Sequence, residues 1–285
     1  MKIRFIINPK AGKKNHYNVD SYIRKHISNC EIFYTEKAGD IKRICKNAVE
    51  ENIKAVVVIG GDGSVNESLS SLINTNTALG VIPAGSGNGF AYHIRMNKNI
   101  KKAIKQIKSC EIQEIDTCLI NNISYVNIAG IGFDAHIAKL FLKEKKRGLI
   151  KYIQLIIKQL NYKAKKFTLI NNKSEKKIEA FLISFANASQ YGNNAKICPQ
   201  ANIKDGFLDM VILHKFPKWK IPILIIKLFL GKINSFKYVE TIKLKNIEIH
   251  SDENLIHTDG EPHNISSPIN VRNLSKSIKI LMPKK

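Results

Sequence analysis

The chain has 285 residues, 44% of them apolar and 24% charged, which suits one large domain or two modest ones with a real core. Its formal net charge of +23 would concentrate polyanions such as nucleotides, nucleic acid or an anionic membrane, although the abundance of Lys, Ile and Asn throughout also fits a plain compositional bias. Cys30, Cys45, Cys110, Cys118 and Cys198 are odd in number and include no close pair, which argues against a disulfide framework or a zinc site and fits free thiols in a reducing cytosol.

The first half alternates strand and helix signals. Residues 3–7 form a short apolar run, read as a buried strand, and a Pro/Gly loop follows it through residue 14. The spacing then predicts a helix over 19–27, a strand over 31–34 and a helix over 40–51. The β-branched run 55–59 ends at Gly60-Gly61, a helix follows over 64–73, and 79–82 is another strand. Repeated strand-loop-helix units imply an α/β layer on a parallel sheet. The second half differs: 124–129, 167–170, 179–186, 208–213, 247–250 and 276–281 are strand-like runs between Asn, Gly, Pro and Asp turns, with one long helical pattern over 149–162. The expected architecture is an α/β N-terminal domain with a parallel sheet, residues 1–122, plus a β-rich, sandwich-like C-terminal domain, residues 123–275. The strand near 276–285 is a candidate to return to the first domain.

Residues 1–8 do not read as a signal peptide, and no run reaches about 18 apolar residues, so any membrane contact is expected to be peripheral. Two segments suit that role. One is 217–232, with Trp219, Pro222, Lys218, Lys220 and Lys227. The other is 149–166, which sets Leu149, Tyr152, Ile153, Ile156, Ile157 and Leu160 on one side, flanked by Lys143, Lys145, Lys146 and Arg147. A core-facing amphipathic helix with a solvated basic side is the alternative for both.

Three Gly-rich loops fall at predicted strand ends, where ligands of open α/β sheets sit. They are Asn8-Pro9-Lys10-Ala11-Gly12-Lys13, then Gly60-Gly61-Asp62-Gly63-Ser64-Val65-Asn66-Glu67, and Pro83-Ala84-Gly85-Ser86-Gly87-Asn88-Gly89. Glycines let backbone approach a phosphate closely, and the helix starts that follow offer free N–H groups. Asp62 would repel a triphosphate unless a divalent cation lay between them. None of the loops is a Walker A motif, and none gives the dinucleotide-binding spacing.

These residues resemble a family. The loop from Gly60 to Glu67 is similar to the Gly-Gly-Asp-Gly loop of diacylglycerol kinase-like lipid kinases, sphingosine kinases, NAD kinases and 6-phosphofructokinases. The segments Asn8-Pro9-x-Ala11-Gly12 and Pro83-Ala84-Gly85-Ser86-Gly87-Asn88 point to the lipid-kinase branch. Further matches are Gly130-Ile131-Gly132-Phe133-Asp134-Ala135, Tyr191-Gly192 through Pro199, Asp205-Gly206-Phe207-Leu208-Asp209 and Asp259-Gly260-Glu261. The chain is identified as a member of the bacterial lipid kinases with a diacylglycerol kinase catalytic domain. The resemblance implies a phosphofructokinase/NAD kinase-like first domain and an ATP-dependent transfer to a lipid hydroxyl, with Mg²⁺ as cofactor.

By position, the resemblance places Asn8, Pro9, Lys10, Ala11, Gly12, Thr35, Gly61, Asp62, Gly63, Ser64, Val65, Asn66, Glu67 and Ser86 on the nucleotide. It places Glu261 as proton acceptor, with Asp259 beside it, and Asp205 with the carbonyls of Asn202 and Phe207 on a structural magnesium ion. Ser64 and Ser86 stand where Thr is common, and Gly89 follows Asn88 where many members carry Asp-Phe-Ala, a variation on the sphingosine kinase side. If 256–261 is extended, residues two apart point one way, so both Asp259 and Glu261 would face the site, with their pKa values pushed apart. The implied partner is a lipid such as diacylglycerol or a sphingoid base at an anionic membrane surface, with no specific nucleic acid and a homodimer as a possible state. The chain would be cytoplasmic and peripherally membrane-associated. The competing readings are a soluble-substrate kinase resembling an NAD kinase, and a non-enzymatic basic protein that binds nucleotide or nucleic acid, which lacks any helix-turn-helix, zinc or RNP pattern.

Overall fold

A computed structural model describes residues 2–12, 18–144, 148–159, 161–171 and 174–284. The chain divides into two compact units, Met1–Ile115 with Lys276–Lys285, and Asp116–Ser275.

The first unit runs β1 (Ile3–Ile7), α1 (Val19–His26), β2 (Cys30–Tyr34), α2 (Asp40–Glu50), β3 (Ala55–Gly60), α3 (Asp62–Leu72), β4 (Ala78–Pro83), α4 (Gly89–His93) and α5 (Ile100–Ile107). The four strands pair in parallel in the order β2-β1-β3-β4. The apolar runs of β1, β3 and β4 are buried along their whole length, because helices cover both faces of such a sheet. Arg4 interrupts β1 with a buried charge, and Glu31 at 2.7 Å and Glu51 at 2.6 Å compensate it. At α5, Asn99 supplies the cap, its Oδ1 accepting the Lys102 N–H at 3.2 Å.

β5 (Cys110–Ile120) leads out of this unit. The second continues with β6 (Ile123–Tyr125), β7 (Ile128–Gly132), α6 (Phe133–Leu142), α7 (Leu149–Lys158), β8 (Lys165–Asn171), β9 (Ser174–Ala186) and β10 (Leu208–His214). After these come α8 (Ile221–Phe229), β11 (Val239–Leu244), β12 (Asn246–His250), β13 (Leu255–Thr258), β14 (Glu261–Asn264) and β15 (Ile269–Pro283). Pairing within this unit is antiparallel and branches at β9. Its early residues pair with β8, while its later ones lie between β7 and β10. Inward-facing Phe167, Phe185, Met210, Ile247 and Val271 form one core. The later residues of β15 belong to the first unit, where Ile280 lies parallel to β4 opposite Leu79.

The architecture is therefore an α/β unit with parallel strands plus a β-sandwich-like unit. Several elements differ from the sequence expectation. The run 124–129 is two strands, parted at Val126-Asn127. The pattern 149–162 is helical only to Lys158, and Leu160, expected on its apolar side, lies outside the described residues. Two further helices, α6 and α8, join it. Pro222 reads as a breaker in the sequence, yet it sits in the first turn of α8, where its missing N–H has no helical partner to lose. Among the described residues no helix is long and apolar enough to cross a membrane.

Candidate active site

In the first unit the three glycine loops leave the C-terminal ends of the adjacent strands β1, β3 and β4 and interlock. Asn8 Nδ2 donates to Ser64 Oγ at 3.0 Å, and Asn8 Oδ1 accepts the Lys10 N–H at 3.0 Å. Asp62 Oδ2 accepts the Asn88 N–H at 2.7 Å, and Asn88 closes its own loop with bonds to the backbone of Gly85. A Cβ built on Gly85 would lie 2.5 Å from Gly61 Cα, and one on Gly12 would lie 2.2 Å from the Ala84 carbonyl oxygen. The loops therefore meet backbone against backbone, an approach only glycine permits. Gly61 precedes the first residue of α3, so the opening turn of that helix presents N–H groups with no partner inside the helix. Such a turn holds anions.

The structure thus brings Asn8, Gly12, Gly61, Asp62, Gly63 and Ser64 together. Pro9 and Lys10 are exposed beside them, with Lys10 Nζ donating to the Glu36 carbonyl. Ala11 turns back through its N–H to the Asn8 carbonyl, and Thr35 is buried at the end of β2, its N–H on the Ile7 carbonyl. Ser86 is exposed in the third loop, and Asn66 lies on α3. Two expected nucleotide contacts are used differently. Val65 is a core residue, and Glu67 Oε1 accepts the Ile41 and Lys42 N–H groups at the start of α2. Lys13 lies outside the described residues. Asn88, quoted only as part of the loop motif, is the residue that locks it. Its αL backbone, φ 56°, is a conformation Asn tolerates better than most.

In the second unit Asp259-Gly260 is not extended. Both residues have positive φ, 51° and 89°, and form the two-residue turn between β13 and β14. Positive φ at both positions is the hairpin turn that Asp-Gly favours. The expectation that Asp259 and Glu261 share one face is therefore corrected. The Asp259 carboxylate turns inward and accepts the N–H groups of Val126, Asn127 and Ile128 at 3.2, 2.9 and 3.0 Å. Glu261, half-buried at the start of β14, carries no hydrogen bond or ion pair on its carboxylate among the described residues. Under the turn, the Gly260 N–H donates to His257 Nδ1 at 3.3 Å, so the ring proton sits on Nε2, 3.0 Å from Asp134 Oδ2. Tyr191 and Ser184 hydroxyls also donate to that oxygen, each at 2.8 Å. Burial alone would raise the Asp134 pKa, but His257, Tyr191 and Ser184 outweigh it and hold the carboxyl below its usual range. Asp134 and Tyr191 stand in segments that carry the family resemblance, but their meeting with Ser184 and His257 was not legible in the sequence, because the four lie far apart in the chain.

The segment expected to hold a structural magnesium ion does not form an open ligand set. Asp205 Oδ2 pairs with Lys243 Nζ at 2.6 Å, and Asp205 Oδ1 accepts the Phe207 N–H. The Phe207 carbonyl accepts Asn273 Nδ2 at 3.1 Å, and Asn202 Oδ1 accepts the Lys204 N–H. The ammonium of Lys243 stands where a cation was expected. Among the described residues no group of three or more His, Cys, Asp or Glu could hold a metal.

Glycine loops at the C-terminal ends of parallel strands, opening onto a helix N-terminus, are the class of site at which α/β folds bind phosphate-bearing ligands. Residues 2–120 match the diacylglycerol kinase catalytic domain, and residues 127–282 match the YegS C-terminal NAD kinase beta sandwich-like domain. The chain belongs to this family of YegS- and diacylglycerol kinase-like lipid kinases. It is 28% identical over 248 residues to a "Probable lipid kinase YegS-like" of Chromohalobacter salexigens, covering 84% of this chain and 80% of that one. It is 25% identical over 297 residues to a diacylglycerol kinase of Mycobacterium tuberculosis, covering 99% and 96%. A crystal structure of a diacylglycerol kinase from Bacillus anthracis superposes with a TM-score of 0.76 at 20% identity, covering 99% and 96% of the two chains.

Proposed function

We propose that this chain transfers the γ-phosphate of ATP to the hydroxyl group of a lipid such as diacylglycerol or a sphingoid base. Phosphoryl transfer asks a protein mainly to position and neutralise charge. The glycine crossing at Gly61 and Gly85 leaves the backbone N–H groups at the start of α3 for phosphate oxygens, and the Asn8 amide and Ser64 hydroxyl lie beside them. A divalent cation shared between Asp62 and the phosphates would relieve their repulsion. In this reading Glu261 takes the proton from the attacking hydroxyl. Asp259 holds the hairpin that carries Glu261 and is not itself the base.

The observation that carries this reading is the contrast between those two carboxylates. Three backbone donors occupy Asp259, whereas the Glu261 carboxylate carries no hydrogen bond or ion pair among the described residues. The test is transfer from radiolabelled ATP into a total lipid extract, with identification of the product. Glu261→Gln is expected to lower turnover by roughly 10²–10⁴-fold while ATP still binds. Label in NAD and none in lipid would sink the reading in favour of a soluble acceptor.

A further inference from the structure

Of the exposed large hydrophobic residues among those described, most lie on three helices of the second unit, α6, α7 and α8, or directly beside α8. They are Leu142, Ile150, Ile157, Trp219, Ile223, Ile226 and Leu230, against Phe33, Tyr34 and Ile112 elsewhere. Packing explains half of each helix. In α8, Leu224 and Leu228, one turn apart, face the core, while Ile223 and Ile226 point outward at 43% and 57% exposure. In α7, Leu155 is buried and Tyr152 and Ile156 pack inward, while Ile150 and Ile157 point out. Between the helices lies an open groove of about 580 Å³, lined by Ile157, Trp219, Ile221, Pro222, Ile225 and Ile226, with Lys218 its one charged side chain. A patch of this kind on a water-facing surface marks a binding face.

The surrounding charge identifies what covers it. Residues 214–238 include Lys215, Lys218, Lys220, Lys227, Lys232 and Lys237 and contain no Asp or Glu. Near the start of α7 the acid Glu144 is already paired with Lys151 at 3.1 Å. A two-fold dimer through this face would set the same lysines against their own copies, which is repulsive. A groove whose lining side chains offer one ammonium and the Trp219 indole N–H, and otherwise only apolar atoms, gives a protein partner few hydrogen-bond handles. An anionic lipid surface supplies both complements, acyl chains for the groove and phosphates for the rim. Trp219, 71% exposed with Lys220 Nζ 5.0 Å from its ring, suits the headgroup level.

We propose that the α7–α8 face, with Trp219, Ile223 and Ile226 inserted and Lys218 and Lys220 on phosphates, docks the chain on anionic lipid. This deepens the lipid-kinase reading and rests on it. Lys145, Lys146 and Arg147, expected beside this face from the sequence, lie outside the described residues.

Trp219 is the only tryptophan, so its emission reports on this face alone. The intact chain is mixed with vesicles of phosphatidylcholine, or of phosphatidylcholine with phosphatidylglycerol, some carrying brominated acyl chains. Expected are a blue shift and bromine quenching with phosphatidylglycerol, reversed by salt, with little change on phosphatidylcholine alone. Each lysine removed should weaken binding roughly fivefold. Ile226→Asp and the pair Lys218→Glu and Lys220→Glu should each cut vesicle binding at least about tenfold. Both should leave transfer to detergent-dispersed lipid extract unchanged, with folding checked by circular dichroism. No shift on anionic vesicles overturns the proposal, as does an equal, salt-insensitive shift on phosphatidylcholine. A shift that needs no vesicles and tracks a doubling of mass with concentration also overturns it, in favour of a second copy. Vesicle binding without lipid phosphorylation would instead refute the kinase reading and leave the docking face standing.

Discussion

Asp259 and Ile128 hold each other twice: the Asp259 N–H donates to the Ile128 carbonyl at 2.8 Å, and the Ile128 N–H donates to Asp259 Oδ1 at 3.0 Å. This fastens the acidic hairpin to the start of β7. Asp259→Ala would strand three backbone donors and is expected to cost about 3 kcal/mol. Asp259→Asn should cost less but still lower the melting temperature, because its NH₂ cannot accept the Val126 N–H. Glu261→Gln should leave melting unchanged and lower turnover alone. Thermal melts set beside turnover separate the two carboxylates. Equal melting losses for both would show that Glu261 is structural as well.

Gly85→Ala should abolish or severely weaken nucleotide binding. Its Cβ would fall 2.5 Å from Gly61 Cα and 3.0 Å from Asn88 Oδ1, so one loop must move away from the other. Titration with a fluorescent ATP analogue reads the loss, and the β-sandwich unit gives a control, since lipid-vesicle binding should persist. Retained affinity would mean the loop junction is not the phosphate site.

Acid should weaken the fold in two windows. Burial, with Arg95 adding to it, pushes the half-buried His93 from 6.5 to about 4. Between those values the unfolded chain binds a proton that the folded chain refuses, so stability falls as pH drops through that range, by at most about 1.4 kcal/mol per pH unit. Asp40 acts lower. The Glu36 and Lys37 N–H groups hold its carboxylate down from 3.8 to about 2, so its contribution is lost as pH falls between those values. Urea midpoints across pH 7 to 4 test the first window. His93→Gln should flatten it, and an unchanged slope would remove His93 from the account.

The Asp205–Lys243 pair makes a prediction about metal. Chelators should leave the melting of the wild-type chain unchanged at matched ionic strength. Lys243→Met should cost no more than about 1 kcal/mol, because both side chains are partly solvated. A clear magnesium-dependent rise in wild-type melting would show that the ion displaces the ammonium.

Much of the α/β unit could be read from the chain. The runs of β3 and β4, and of β1 apart from Arg4, are apolar because both faces are buried, and helices α1 and α2 fall within a residue or so of their apolar spacing. The second unit was harder. Its strand β9 serves three partners, so its pattern changes along its length, and Val239–Leu244 alternates too weakly to stand out. At the site, glycine loops were legible because their residue types are rare in combination. The inward turn of Asp259 was not, since it depends on backbone donors more than 130 positions away. The use of Glu67 as a helix cap and of Lys243 as the cation beside Asp205 are likewise tertiary facts.

β15 gives the ribosome an order of events. The flank of β4 that receives Ile280 has no partner until the last strand emerges, after every residue of Asp116–Ser275 has been made. The β-sandwich unit can therefore fold during synthesis while the earlier-made unit waits with an open strand edge, the kind of edge that invites pairing with other chains. Chains stopped at Ser275 should aggregate from their first unit although its first 115 residues are intact.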